Sequence, residues 1–140
     1  MEARGLLLLA IAGMLSASHG VWQTSAAESI SVRPPAITDN KGNVVEDIVA
    51  GQQVTIHYEY NKTGNQPQPF VMLFEIRDDR GVSVHFAWQS GVAEPNTEAT
   101  VGISWTPEER GDHEIRIFVI DGFDNPQGLS TVVAHALFVG

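Results

Sequence analysis

The sequence contains no cysteine, which excludes a disulfide framework, a thiolate metal centre and a cysteine nucleophile. It is also poor in positive charge: 8 Lys and Arg stand against 17 Asp and Glu, for a formal net charge of -9. Nucleic acids and anionic membrane surfaces are held by clustered Lys and Arg, so neither is an expected partner. Beyond the N-terminus, apolar residues nowhere recur at i, i+3, i+4 and i+7 over a helical length, which argues against α-helices. The Gly-x-Ser-x-Gly elbow, the His-Glu-x-x-His zinc motif and a phosphate-cradling glycine loop are missing too. A non-catalytic chain without a cofactor is the expectation.

Long apolar runs are scarce, and the only one of note is N-terminal. Arg4 precedes an uncharged stretch, residues 5–15, that contains Leu6, Leu7, Leu8, Leu9 and Ile11. A transmembrane helix needs about 20 apolar residues, so this run reads as a signal peptide with no membrane insertion once it is cleaved. Small residues permit cleavage after Ser18, after Gly20 or at Ser25-Ala26-Ala27. Residues 1–27 are therefore expected to be a leader with a short disordered remnant, and residues 28–140 a single extracytoplasmic domain, secreted or at the cell surface. Hydrophobic residues make up 43% of the chain, enough for one core.

What is present is a succession of short runs of alternating polarity. The clearest is 53–60, where Val54, Ile56, Tyr58 and Tyr60 share one face and Thr55, His57 and Glu59 the other. Asp39-Asn40-Lys41-Gly42 and Asp78-Asp79-Arg80-Gly81 are turn signals, and the second predicts a hairpin between 73–77 and 82–88. Gln89-Ser90-Gly91 is expected to break the second of these runs. Pro34-Pro35 ends an edge strand, 44–48 reads as a further short edge segment, and 61–69 as a loop. Residues 101–105 and 113–119 flank a polar corner at 106–111, with Trp105 in phase with Val101 and Ile103. Seven to nine strands separated by turns predict an all-β, immunoglobulin-like antiparallel β-sandwich, with a small closed barrel as the alternative.

Several short motifs carry a family likeness: Trp88-Gln89-Ser90-Gly91-Val92, Ser104-Trp105-Thr106-Pro107, Gly111-Asp112-His113, Phe118-Val119-Ile120-Asp121-Gly122 and Asn125-Pro126-Gln127-Gly128-Leu129-Ser130. Over residues 51–133 the chain resembles immunoglobulin-like modules, of the fibronectin type III or CARDB kind, in exported archaeal and bacterial surface proteins. The resemblance implies fold far more than activity. The chain departs from the pattern at His113, where the family has a tyrosine.

Candidate sites follow from what the strand pattern leaves over. Tyr58, Tyr60, Phe70, Phe74, Phe86, Trp88 and Trp105 fall on the apolar parity of their strands, where core positions are expected. Phe118 and Ile120 have the opposite parity to Ile115, Ile117 and Val119. With Val71 and Leu73 they predict an apolar outer face, a surface for a protein partner or for self-association. His57, His85, His113 and His135 lie singly on four expected strands, without the paired spacing of a metal site. His57 and His85 are expected to be solvated, and His135 to sit in the core. Asp121 and Asp124 could contribute to a calcium loop, although an Asx turn explains them as well. Asn61-Lys62-Thr63 is a glycosylation sequon. The favoured function is an exported binding or structural module acting through protein contact. The alternative is a small exported copper- or calcium-binding protein.

Overall fold

The alternating run at 53–60 becomes the centre of one sheet. The computed structural model describes residues 29–140; the expected leader, its cleavage sites and its remnant lie outside them. Eight strands are formed: β1 (Ile30–Val32), β2 (Ala36–Thr38), β3 (Val54–Lys62), β4 (Gln68–Asp78), β5 (Ser83–Ala93), β6 (Glu98–Trp105), β7 (Gly111–Ile120) and β8 (Val133–Val139). In sheet A, β3 pairs with β6 on one side and with β1 and β2 on the other, all antiparallel. The break between β1 and β2 falls at Pro34-Pro35, where two ladder N–H donors are missing. Sheet B has the order β5-β4-β7-β8, again antiparallel throughout. Two such sheets packed face to face make an immunoglobulin-like sandwich, as expected from the strand pattern.

The core is the set of inward-facing residues from both sheets. From sheet A come Val54, Ile56, Tyr58, Tyr60, Ile103 and Trp105; from sheet B come Phe70, Met72, Phe74, Ile76, Ile115, Ile117 and Val119. Tyr58 meets Phe74 at 5.9 Å between ring centroids, and Tyr60 meets Phe70 at 5.3 Å. These pairs tie the two central strands, β3 and β4, across the sandwich.

The turn at 78–81 is built as its residues dictate. Asp78 accepts the backbone N–H of Val82 at 2.8 Å and of Arg80 at 3.0 Å, while Gly81 adopts φ 77. The Val82 N–H first, and then the Arg80 guanidinium, hold the Asp78 carboxyl below the usual carboxylate range. Arg80 also stands 3.7 Å from Glu109, which links this turn to the corner before β7. In that corner Pro107 is buried and its carbonyl accepts the Gly51 N–H at 2.7 Å.

Three local expectations change. β5 does not break at Gln89-Ser90-Gly91 but runs on to Ala93. A Cβ on Gly91 would lie 3.2 Å from the Phe70 ring, so this glycine makes room for a core aromatic and ends nothing. Residues 44–48 form no strand of their own, only isolated bridges from Val44 to Thr38 and from Ile48 to Val139. The region 61–69 is not wholly loop, because β3 continues through Asn61 and Lys62, and β4 starts at Gln68.

Truncating Phe74 to alanine is expected to cost about 3–5 kcal/mol in chemical denaturation. Tyr58 behaves differently: its hydroxyl is buried without a hydrogen-bond partner among the described residues, and burial holds the phenol neutral well above its ordinary range. Tyr58→Phe removes a desolvated polar atom and is expected to leave stability unchanged or raise it by up to about 1 kcal/mol. A loss of 2 kcal/mol or more, on the scale of a broken buried bond, would show that the hydroxyl is paired. Because the folded-state pKa of Asp78 is depressed, its stabilisation is present above the ordinary carboxylate pKa and is lost as pH falls through the depressed value. Asp78→Asn is therefore expected to lower the thermal midpoint at pH 7 and to flatten its fall at acid pH.

Candidate functional site on the outer face of sheet B

Strand β4 is apolar on both faces, and its outward residues set the character of sheet B. The register places Val71 opposite Ile120 and Leu73 opposite Phe118 on one side, and Leu73 opposite Trp88 on the other. The four residues singled out from parity, Val71, Leu73, Phe118 and Ile120, are thus neighbours on one face. They are not equally available. Leu73, Phe118 and Ile120 are half-buried, whereas Val71 is only 6% exposed and has no surface left to offer a partner.

The most exposed members of this face are residues that the sequence pattern assigned to the core or to a loop. Val84, Phe86 and Trp88 do share one side of β5, but it is the outer side; Phe86 is 59% and Trp88 54% exposed. Phe123, from the loop after β7, is 59% exposed and meets Trp88 edge-on at 5.6 Å and 88°. An aromatic stripe thus runs from Phe123 over Trp88 to Leu73 and Phe118.

A charged half adjoins it. Arg116 lies 5.1 Å from the centroid of the Phe118 ring and 3.7 Å from Glu75, which pairs with Arg77 at 3.0 Å. Stacking of a guanidinium on a ring next to a carboxylate orients both and fixes the Phe118 edge of the stripe.

The four histidines are dispersed. His57 lies on the outer face of sheet A, its Nε2 2.9 Å from the Thr38 hydroxyl; a Cβ on Gly102 would stand 3.2 Å from its Nδ1, so the glycine accommodates the ring. His135 is half-buried on β8 beside residues 44–48, in phase with Val133 and Leu137. His113 is buried, packs edge-on against Trp105 at 5.4 Å, and donates from Nδ1 to the Gly111 carbonyl at 3.0 Å. The imidazole thus makes a backbone bond within the corner, where the family's tyrosine would be expected to make one.

His85 departs most from expectation. It points inward from β5, not into solvent, and its Nε2 is buried without a partner among the described residues. His85 and His113 line one cleft of about 370 Å³, with Trp105, Ser104, Glu108 and Glu109. Even so, no group of three His, Asp or Glu side chains among the described residues is placed to hold a metal ion. Asp121 Oδ1 accepts the Gln127 N–H at 2.7 Å, closing the loop across six residues where a two-residue Asx turn was expected, and exposed Asp124 makes no bond within it among the described residues. Asn61, the sequon residue, is half-buried in β3, paired with Ser31 and Glu98, and not in a loop.

Desolvation lowers the pKa of His85 below that of a free histidine. The unfolded chain then takes up this proton first, so stability falls as pH drops below about 6.5 and levels off below the folded-state pKa. His85→Leu is expected to shrink the loss of thermal midpoint between pH 7 and pH 5.5, a range above the carboxylate titrations. An equal loss in both proteins would contradict the desolvated placement of the ring.

No protein-family model and no curated protein matches the sequence. Solved structures do match in fold. The C-terminal domain of Wzt aligns over 80% of this chain and 74% of its own, with TM-score 0.61 and 10% identity. A CARDB domain from Pyrococcus furiosus, determined in complex with di-metal ions, aligns over 81% of this chain and 90% of its own, with TM-score 0.56 and 14% identity. A β-glucuronidase of glycoside hydrolase family 2 aligns over 76% of this chain but only 11% of its own, with TM-score 0.58 and 10% identity. At these identities the likeness is one of fold: the chain is similar in fold to domains of larger proteins.

Proposed function

We propose that this chain is an exported, non-catalytic binding module that acts by protein contact through the outer face of sheet B. The observation that carries the reading is the aromatic stripe. Trp88, Phe86 and Phe123 are each more than half exposed, and they adjoin Leu73 and Phe118 on one sheet face. Large aromatics clustered on a surface, rimmed by charge, are the composition of an interaction surface, and scattered exposed apolar residues are not. Arg116, Glu75 and Arg77 supply the rim here.

Two further points support a module without chemistry of its own. The hydroxyl–imidazole contact of Thr38 with His57 has no carboxylate bonded to the ring among the described residues, so the relay needed to activate a nucleophile is incomplete there. At the cleft lined by His85 and His113, Glu108 and Glu109 are exposed and neither is bonded to an imidazole among the described residues. Export is supported by the leader-like pattern after Arg4.

The test is affinity capture from the surface fraction of cells that express the chain, comparing wild type with Phe118→Glu and Trp88→Glu. Both substitutions fall on partly or largely exposed side chains, so far-ultraviolet dichroism and the thermal midpoint are expected to change little. Proteins recovered with the wild type are expected to be lost with both variants. Recovery of the same proteins by all three would sink the assignment of the face, and a cytoplasmic distribution of the chain would sink export.

A further inference from the structure

The two sheets of the sandwich meet along two lateral seams. The seam between β2 and β8 is crossed by residues 44–48, where the Val45 N–H donates to the Ile37 carbonyl at 2.9 Å and Ile48 bridges to Val139. The seam between β5 and β6 is spanned by Gln89, whose side chain donates to the Gly102 carbonyl at 2.8 Å. Toward the corner this second seam opens into the cleft of about 370 Å³ that His85 and His113 line. That volume lies in the range of small-ligand pockets, roughly 300–1,000 Å³.

The inner wall of the cleft is made of rings. Trp105 and His113 are buried and meet edge-on at 5.4 Å, and half-buried His85 lines the cleft from β5. A bulge lies beside His85: Ile76 pairs with His85 and Arg77 with Ser83, so Val84 is an extra residue that bends the strand at the cleft. The imidazoles supply acceptors. A carbonyl only accepts, so the bond to Gly111 places the proton of His113 on Nδ1 and leaves Nε2 of the neutral ring with its lone pair. Nε2 of His85 is buried without a partner among the described residues, and a donor reaching it from the cleft would offset that desolvation.

The rim is acidic. Glu108 and Glu109 are exposed there, and neither Lys nor Arg lines the cleft. Arg80 stands 3.7 Å from Glu109 but is held by Asp78 at 2.6 Å. Carboxylates at the mouth repel an anion, and no group of three His, Asp or Glu side chains among the described residues is placed for a metal ion. A ligand with donors and positive charge suits what remains: carboxylates at the rim, imidazole lone pairs, and an indole ring that attracts a cation. The formal charge of -9 favours the approach of such a ligand.

We propose that this cleft binds a small organic ammonium ion, its charged end held by Glu108 and Glu109 against the Trp105–His113 pair. The site is separate from the outer face of sheet B and needs no partner protein.

The test is a titration of the full chain, as its host processes it, with butylammonium, followed by nuclear magnetic resonance at the indole N–H of Trp105 and the ring C–H groups of His85 and His113. Butylammonium is expected to shift these resonances saturably, and 1-butanol and butyrate, of the same chain length, are not. E108Q/E109Q is expected to weaken binding about fivefold or more, the scale of two exposed ion pairs, and E108K/E109K to abolish it. D124N/E94Q removes the same charge from exposed positions at the opposite end of sheet B and is expected to leave the affinity unchanged. All the substituted side chains are exposed, so the thermal midpoint is expected to stay close to that of wild type.

No saturable shift at Trp105 overturns the inference. Equal shifts with 1-butanol overturn it too, because the cleft would then select apolar character and not charge. Equal weakening in E108Q/E109Q and D124N/E94Q also overturns it, since the net charge of the chain and not this cleft would then gather the ammonium ion.

Discussion

The structure depends on one constraint, that β4 must bury apolar side chains on both of its faces. Phe70, Met72, Phe74 and Ile76 point inward and are nearly inaccessible. Burying side chains of this size contributes about 1.5–3 kcal/mol each, so the inward set holds the sandwich together through the contacts of Tyr58 with Phe74 and Tyr60 with Phe70. The outward set has no second layer to enter. Val71 is sheltered, but Leu73 is only partly covered and draws Trp88 and Phe118 alongside it across the sheet. The demands of the core on one face of β4 thus end in a stripe on the other, and the functional proposal follows from that geometry.

The same logic separates the two ends of the sheet B outer face. Toward the loop after β7, side chains are aromatic and aliphatic, with Phe123 folded against Trp88. Toward the corner, Glu75, Arg77, Glu114 and Arg116 form a short ionic ladder. Arg116 belongs to both halves, with its guanidinium over Phe118 and near Glu75. A partner would find shape and apolar area at one end and orientation at the other, which is how polar rims contribute to recognition.

Much of the fold was legible because strand parity and turn chemistry are local. The alternation around Tyr58, the turn capped by Asp78, the pairing of Leu73–Arg77 residues with β5, and the inward placement of Trp105 all follow from neighbours a few residues apart. So does the shared face of Val71, Leu73, Phe118 and Ile120. What parity cannot say is which side of a strand meets the opposite sheet. For β5 the apolar side, Val84, Phe86 and Trp88, is the outer one, and the inner side carries His85 and Ala87. An edge strand lies where the opposite sheet gives least cover, so hydrophobicity ceases to report burial there. Gly91 was misleading for a related reason, since a glycine that clears space for Phe70 looks in sequence like one that ends a strand. Asn61 read as loop because Gly64 and two prolines follow it, yet pairing with Glu98 carries β3 past it.

Residue-resolved hydrogen exchange, recorded for the chain alone and together with the proteins it captures, addresses the contact surface most directly. Slowing confined to the strands of sheet B, with β3 unchanged, is the expected result, since a partner on that outer face would shield only that sheet. Exchange in sheet B that those proteins leave unchanged, or protection that grows instead along β1 and β2, would contradict the assignment of the outer face of sheet B as the surface through which this module works.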